Sequence, residues 1–141
     1  MRAALLRTAA LVAACAAGCG TAAETPATFT QVYAVMFPLG TPGQCNYCHD
    51  RPANNLSNGM LDMGSTRAAA YAALVGPSST SALCGTRGRL VVPGDPGASL
   101  LYLKVQAAPP CGDRMPQGAT ALGAAQVEMI RSWIAAGAPN D

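Results

Sequence analysis

Charge is scarce in this chain. Asp, Glu, Lys and Arg make up 11% of 141 residues, and there is one lysine, Lys104, and one histidine, His49. So uncharged a chain is not an acidic or basic disordered tail. Aromatics are 5%, and much of the 50% apolar content is alanine, which adds little core volume. A domain this poor in large side chains often needs a staple, whether disulfide, metal or cofactor. The length suits one domain and not comfortably two. The single histidine excludes a Cys2His2 zinc site within the chain and a pair of histidine ligands on one iron. It makes a Ser-His-Asp hydrolase implausible if that histidine is bonded to a metal. One lysine also argues against docking through a ring of lysines.

No apolar run at the N-terminus is long enough to span a bilayer. In "MRAALLRTAALVAACAAGCG", Arg2 and Arg7 precede an apolar run from Thr8 to Ala17 and then small residues. That order of charge, apolar run and small residues is a secretory signal. Small residues before Cys15 and before Cys19 resemble the lipobox of bacterial lipoproteins. Cleavage before Cys19 removes Cys15 and leaves one cysteine for lipid and four for the domain, whereas cleavage before Cys15 strands Cys19 as an odd thiol. Lipidation at Cys19 is therefore expected, with Cys15 as the alternative and plain secretion, cut near Ala22 or Ala23, as the runner-up.

The expected organisation is a removed signal at 1–18, a tether at 19–27 and a domain at 28–141. Loss of Arg2 and Arg7 takes the nine basic residues to seven, equal to the seven acidic ones. No basic face is left for nucleic acid. The expected location is the periplasmic face of a bacterial membrane, reached through the N-terminal lipid.

Four helices can be read from the apolar spacing. "TFTQVYAVMF" places Phe29, Val32, Tyr33 and Met36 on one face, with Thr28 as cap. "STRAAAYAALVG" has Ser65 as cap, Ala68, Tyr71, Leu74 and Val75 on one face, and Gly76-Pro77 as its stop. In "GDPGASLLYLKVQ", Asp95-Pro96 is a cap and first turn, with Leu100, Leu103 and Tyr102 facing inward. In "GAAQVEMIRSWIAAGAPND", Val127, Ile130 and Ile134 recur beside Trp133. Gly123 and Gln126 stand at the capping-box positions there. "RLVV" at 89–92 is a weak strand candidate. The class is all-α, with long Gly/Pro-rich loops that need something central to hold them.

Those loops carry the chemistry. Cys45-Asn46-Tyr47-Cys48-His49 supplies two thiols for the two vinyl groups of a haem and an imidazole for its iron. Export fits, because c-type haem is attached outside the cytoplasm. The zinc alternative needs Cys45, Cys48, Cys84 and Cys111, or His49 in place of one. The 26 residues between Cys84 and Cys111 are far from the usual short spacing. A thioredoxin-like pair wants a βαβ context that is absent.

Candidates for the second axial ligand are methionines. Met36 and Met129 sit in helices among apolar neighbours and read as core filler. Met60 and Met63, in "NGMLDMG", follow His49 closely and stand as alternative ligands or as lining of the haem edge. Met115, in the Gly/Pro-rich loop "CGDRMPQGA", is poorly explained as filler and is the first choice for distal ligand. In an oxidising compartment Cys84 and Cys111 are expected to pair. That disulfide would staple the loop carrying Met115. Arg51 and Arg114 flank the two ligands, either to neutralise haem propionates or as solvated charges.

The runs "QCNYCH", "AAAYAALVG", "RLVVPGDPGASLLYLKV", "CGDRMPQGA" and "VEMIRSWIAAGAPND" together resemble the small monohaem class I cytochrome c domain, in particular its planctomycete-type haem-binding lipoprotein variant. The likeness covers about Thr28 to Asp141. It implies a cytochrome c-like fold of about four helices around one covalent haem c. It implies thioethers at Cys45 and Cys48, His49 as proximal ligand and Met115 as distal ligand, and terminal helices that cross. It departs at Gly123, where a serine or threonine cap would be stronger.

The implied function is single-electron transfer, not enzymatic catalysis, with redox proteins as partners and contact through an apolar patch at the haem edge. Nothing in the sequence indicates oligomerisation, and a monomer is expected. The alternatives are a haem enzyme or gas or redox sensor with a labile sixth ligand, a scaffold whose haem is structural, and a Cys-rich zinc module.

Overall fold

Phe29 and Trp133 meet with ring centroids 4.9 Å apart, and both are buried. This contact joins the two ends of the domain. The structure, a computed structural model, describes residues 25–50, 61–81, 83–85 and 88–141. The expected signal peptide, Cys15, Cys19, Arg51 and Met60 lie outside the described residues.

The described residues form five α-helices and one 3-10 turn, with no β-strand. They are α1 (Phe29–Met36), α2 (Cys45–His49), α3 (Arg67–Leu74), the turn Pro96–Ala98, α4 (Leu100–Lys104) and α5 (Ala124–Ala135). The expected strand at 89–92 is reduced to isolated bridges, Val75 with Val91 and Ser78 with Arg89. No described helix is long and apolar enough to cross a membrane.

α1 begins as its sequence dictates. The Thr28 hydroxyl accepts from Gln31 N, and the Gln31 side chain accepts from Thr28 N, a full capping box. Phe29, Val32 and Met36 are buried along one face. The N-terminal amides of α1 also receive the far end of the chain. Phe29 N donates to Asp141 Oδ1 at 2.8 Å and Thr30 N to Asp141 O at 3.0 Å. Arg67 donates to the same Asp141 carbonyl and lies over the Phe29 ring. Phe29 further packs edge-on against Tyr71 of α3. α1, α3 and α5 thus share one aromatic junction.

Three readings of the helices are corrected. The cap of α3 is Thr66, whose hydroxyl accepts from Ala69 N, while the Ser65 carbonyl accepts from Tyr33 Oη. The buried face of α3 runs through Ala70 and Leu74, with Tyr71 half-buried and Ala68 exposed. The helix expected from Asp95 onward is broken at Ser99, which is extended (φ −96°, ψ 114°) and fully buried. Its hydroxyl donates to Asp95 O and accepts from Val92 N. This local alternative to helical bonding is what serine offers a backbone. In α4, Leu100 is buried, while Tyr102 and Leu103 are only half-buried. α5 starts at the Gly123 cap and buries Ile130, Trp133 and Ile134.

Candidate functional site

The passage from α1 to α2 is a tight reversal. Gly43 runs so close to the end of α1 that a Cβ there would lie 2.3 Å from Met36 O, so a side chain is sterically excluded. Gln44 follows with φ +47°, and Asn46 N donates to Phe37 O at 2.9 Å. This reversal starts the short helix α2, which is the Cys-x-x-Cys-His motif itself. Both its cysteines are free thiols. Burial, with some repulsion from Cys48, pushes the Cys45 thiol up to about 12. An attacking redox thiol needs the opposite shift, so the thioredoxin-like reading finds no support in Cys45.

His49 is oriented by a backbone carbonyl twelve positions on. Its Nδ1 lies 3.0 Å from Leu61 O. A carbonyl oxygen only accepts, so Nδ1 carries the proton and donates; in the neutral imidazole the lone pair is then on Nε2. Histidine ligands are commonly held in this way by a backbone carbonyl. A second bond joins the same two segments where Met63 N donates to His49 O at 2.7 Å.

Beside α2 is a cavity of about 530 Å³, within the size range of cofactor sites. Cys45, Cys48, His49 and Met115 all line it, although Met115 lies 66 positions after His49 in the chain. Apolar groups such as Val32, Leu74, Leu100 and Ile130 make up much of the remaining wall. Met36 and Met63 are buried and also line the cavity. Met36 therefore belongs to both core and cavity wall, which its helical spacing alone did not suggest. Met129 is half-buried against the core, away from the cavity lining. Met63 remains a second thioether on the cavity.

The Met115 loop is anchored from two sides. Cys84 and Cys111 form a disulfide with Cα atoms 5.5 Å apart. Lys104, at the end of α4, donates from Nζ to Cys111 O and to Asp113 O, and its own carbonyl accepts from Met115 N at 2.8 Å. The Met115–Pro116 peptide bond is cis. Partial burial lowers the Lys104 ammonium from its ordinary value, opposed by the nearby Asp113 carboxylate. Arg114 is exposed and is not among the residues that line the cavity.

The disulfide consumes two of the four thiols that the zinc alternative requires. Among the described residues no group of three or more His, Cys, Asp and Glu is gathered to hold a metal ion. A haem iron with one histidine and one thioether draws on a different donor set, since the porphyrin supplies the other four ligands. The site residues fit that group: two free thiols and an oriented imidazole on α2, and a thioether on the same largely apolar cavity.

Sequence reasoning missed Lys104 and the Leu61 carbonyl. A backbone carbonyl has no residue-type signal, and a lone lysine has none that distinguishes an anchoring role from a solvated one. Set against protein-family models, curated proteins and solved structures, the chain matches none.

Proposed function

We propose that this chain is an exported monohaem c-type cytochrome with a cytochrome c-like fold, carrying single electrons between redox proteins. The observation that carries the reading is the convergence of Cys45, Cys48, His49 and Met115 on one apolar cavity, with His49 Nδ1 already engaged. Cys45 and Cys48 would hold the haem by thioether bonds, His49 Nε2 would bind iron on one face and Met115 Sδ on the other. When bound, the haem supplies a one-electron Fe(III)/Fe(II) couple. Met115 would close the sixth position against water and small gases. Thioether ligation and an apolar wall would favour the reduced state.

Tyr47 and Leu83 line the cavity and are 54% and 65% exposed. They would form an apolar rim where a partner meets the haem edge. In this reading the chain is cut before Cys19 and held at the periplasmic face of a membrane by lipid on that residue. Mass spectrometry of the mature N-terminus checks this: a lipid-modified Cys19 is expected, and an unmodified N-terminus near Ala22 would replace it with plain secretion.

The test of the site is the visible spectrum of the exported protein, oxidised and reduced. Sharp low-spin reduced bands and the weak long-wavelength ferric band of methionine ligation are expected. A high-spin spectrum with carbon monoxide binding to the ferrous protein would replace electron transfer with a sensor or enzyme role. No haem absorbance, after expression with a working attachment pathway, would end the cytochrome reading.

A further inference from the structure

The one lysine of the chain is committed to the loop that bears the distal methionine. Lys104 Nζ donates to Cys111 O at 2.7 Å and also to Asp113 O. Its own backbone carbonyl accepts from Met115 N at 2.8 Å. Three contacts from one residue thus hold three positions of a five-residue stretch, the first of them already tied by the Cys84–Cys111 disulfide. Gly112 lies against this clamp, with its Cβ position 3.4 Å from Lys104 Nζ and 3.4 Å from Leu83 Cδ1. Both Lys104 and Met115 line the cavity.

Loops are ordinarily the mobile parts of a fold. A thioether is a weak, neutral ligand, and its hold on iron depends on how far its backbone is already fixed before the bond forms. The disulfide fixes Cys111 only. Between it and Met115, the Asp113 carbonyl is held by the Lys104 ammonium, and a donor that carries charge makes a stronger hydrogen bond than a neutral one.

We propose that Lys104 is a positioning residue for the distal ligand, holding the Cys111–Met115 loop so that the Met115 thioether stays on iron. This rests on the His49/Met115 reading above. Lys104 touches no reacting atom. It acts by lowering the fraction of molecules in which Met115 has swung away and left the sixth position to an external ligand.

The test compares wild type, K104M and K104R by ferric visible spectrum and by titration with imidazole, which competes with Met115. Methionine keeps the length and apolar stem of lysine and removes the donors; arginine keeps charge and donors. K104M is expected to bind imidazole about ten-fold more tightly, the worth of one charged hydrogen bond, and to lose part of the methionine band. K104R is expected to stay within about two-fold of wild type, since its guanidinium can serve both carbonyls. Equal imidazole affinity in K104M and wild type would overturn the proposal, as would equal weakening in K104M and K104R. Should K104M fail to accumulate, K104Q carries the same comparison. A wild-type protein without the methionine band would refute the ligand reading and this role together, whereas a band that K104M leaves intact refutes this role alone.

Discussion

Met115 and Met63 pose a question that single side chains decide. Both line the cavity, but Met63 is bonded through its backbone to His49 itself while Met115 comes from a separate, doubly anchored loop. A ligand opposite His49 is more naturally supplied from a different loop. Under the proposed haem ligation, M115A is expected to abolish the long-wavelength ferric band and open the sixth position, while M63A keeps the band. Loss of the band in M63A alone would exchange their roles.

A second residue-scale prediction concerns pH. Arg131 donates two hydrogen bonds to Glu128 and holds its carboxyl below the ordinary 4.5. A depressed folded value means the pair stabilises the fold above 4.5 and loses that contribution as pH falls through the depressed value. Both groups are exposed, so the effect on stability is small and salt-screened. An NMR titration of Glu128 in R131M is expected to return the carboxyl to its ordinary range.

At the scale of elements, capping and serine chemistry decide where helices begin. Thr28 closes the α1 capping box, so T28A is expected to cost about 1 kcal/mol in chemical denaturation. Ser99 matters more, because it is fully buried and satisfies Val92 N and Asp95 O at once. S99A leaves Val92 N without that partner and is expected to cost about 1–3 kcal/mol. A neutral result would mean that the break before α4 comes from Pro96 and Gly97 alone.

At the scale of the whole molecule, distant parts of the described residues are joined by few large side chains and one covalent link. Trp133 lies fully buried against Phe29, and its Nε1 donates to Pro139 O. The Cys84–Cys111 link spans 27 positions and closes the region between α3 and the Met115 loop. The C84S/C111S double variant is expected to lose about 3 kcal/mol, through the restored freedom of the unfolded chain. Under the proposed ligation it should also weaken the methionine band, since it frees one end of the Met115 loop. A loss of stability with an unchanged band would assign the disulfide to the fold and leave Lys104 as the main anchor of Met115.

The sequence by itself determined whatever depends on short spacing. Apolar recurrence at three and four residues marks α1 and α5, and Thr28 marks the start of α1. Cys45, Cys48 and His49 are joined by adjacency alone, so their candidacy required no fold. The tertiary structure decided what depends on backbone groups and distant neighbours. The cap of α3 is Thr66 and not Ser65: the chain enters the helix one residue later, where the Thr66 hydroxyl accepts from Ala69 N. The helix after Asp95 broke because Ser99 found partners in Val92 and Asp95. The Leu61 carbonyl that orients His49 and the three contacts of Lys104 involve main-chain atoms, which every residue carries alike. Residue types name the groups able to bind an iron; only the folded chain decides which carbonyls stand behind them.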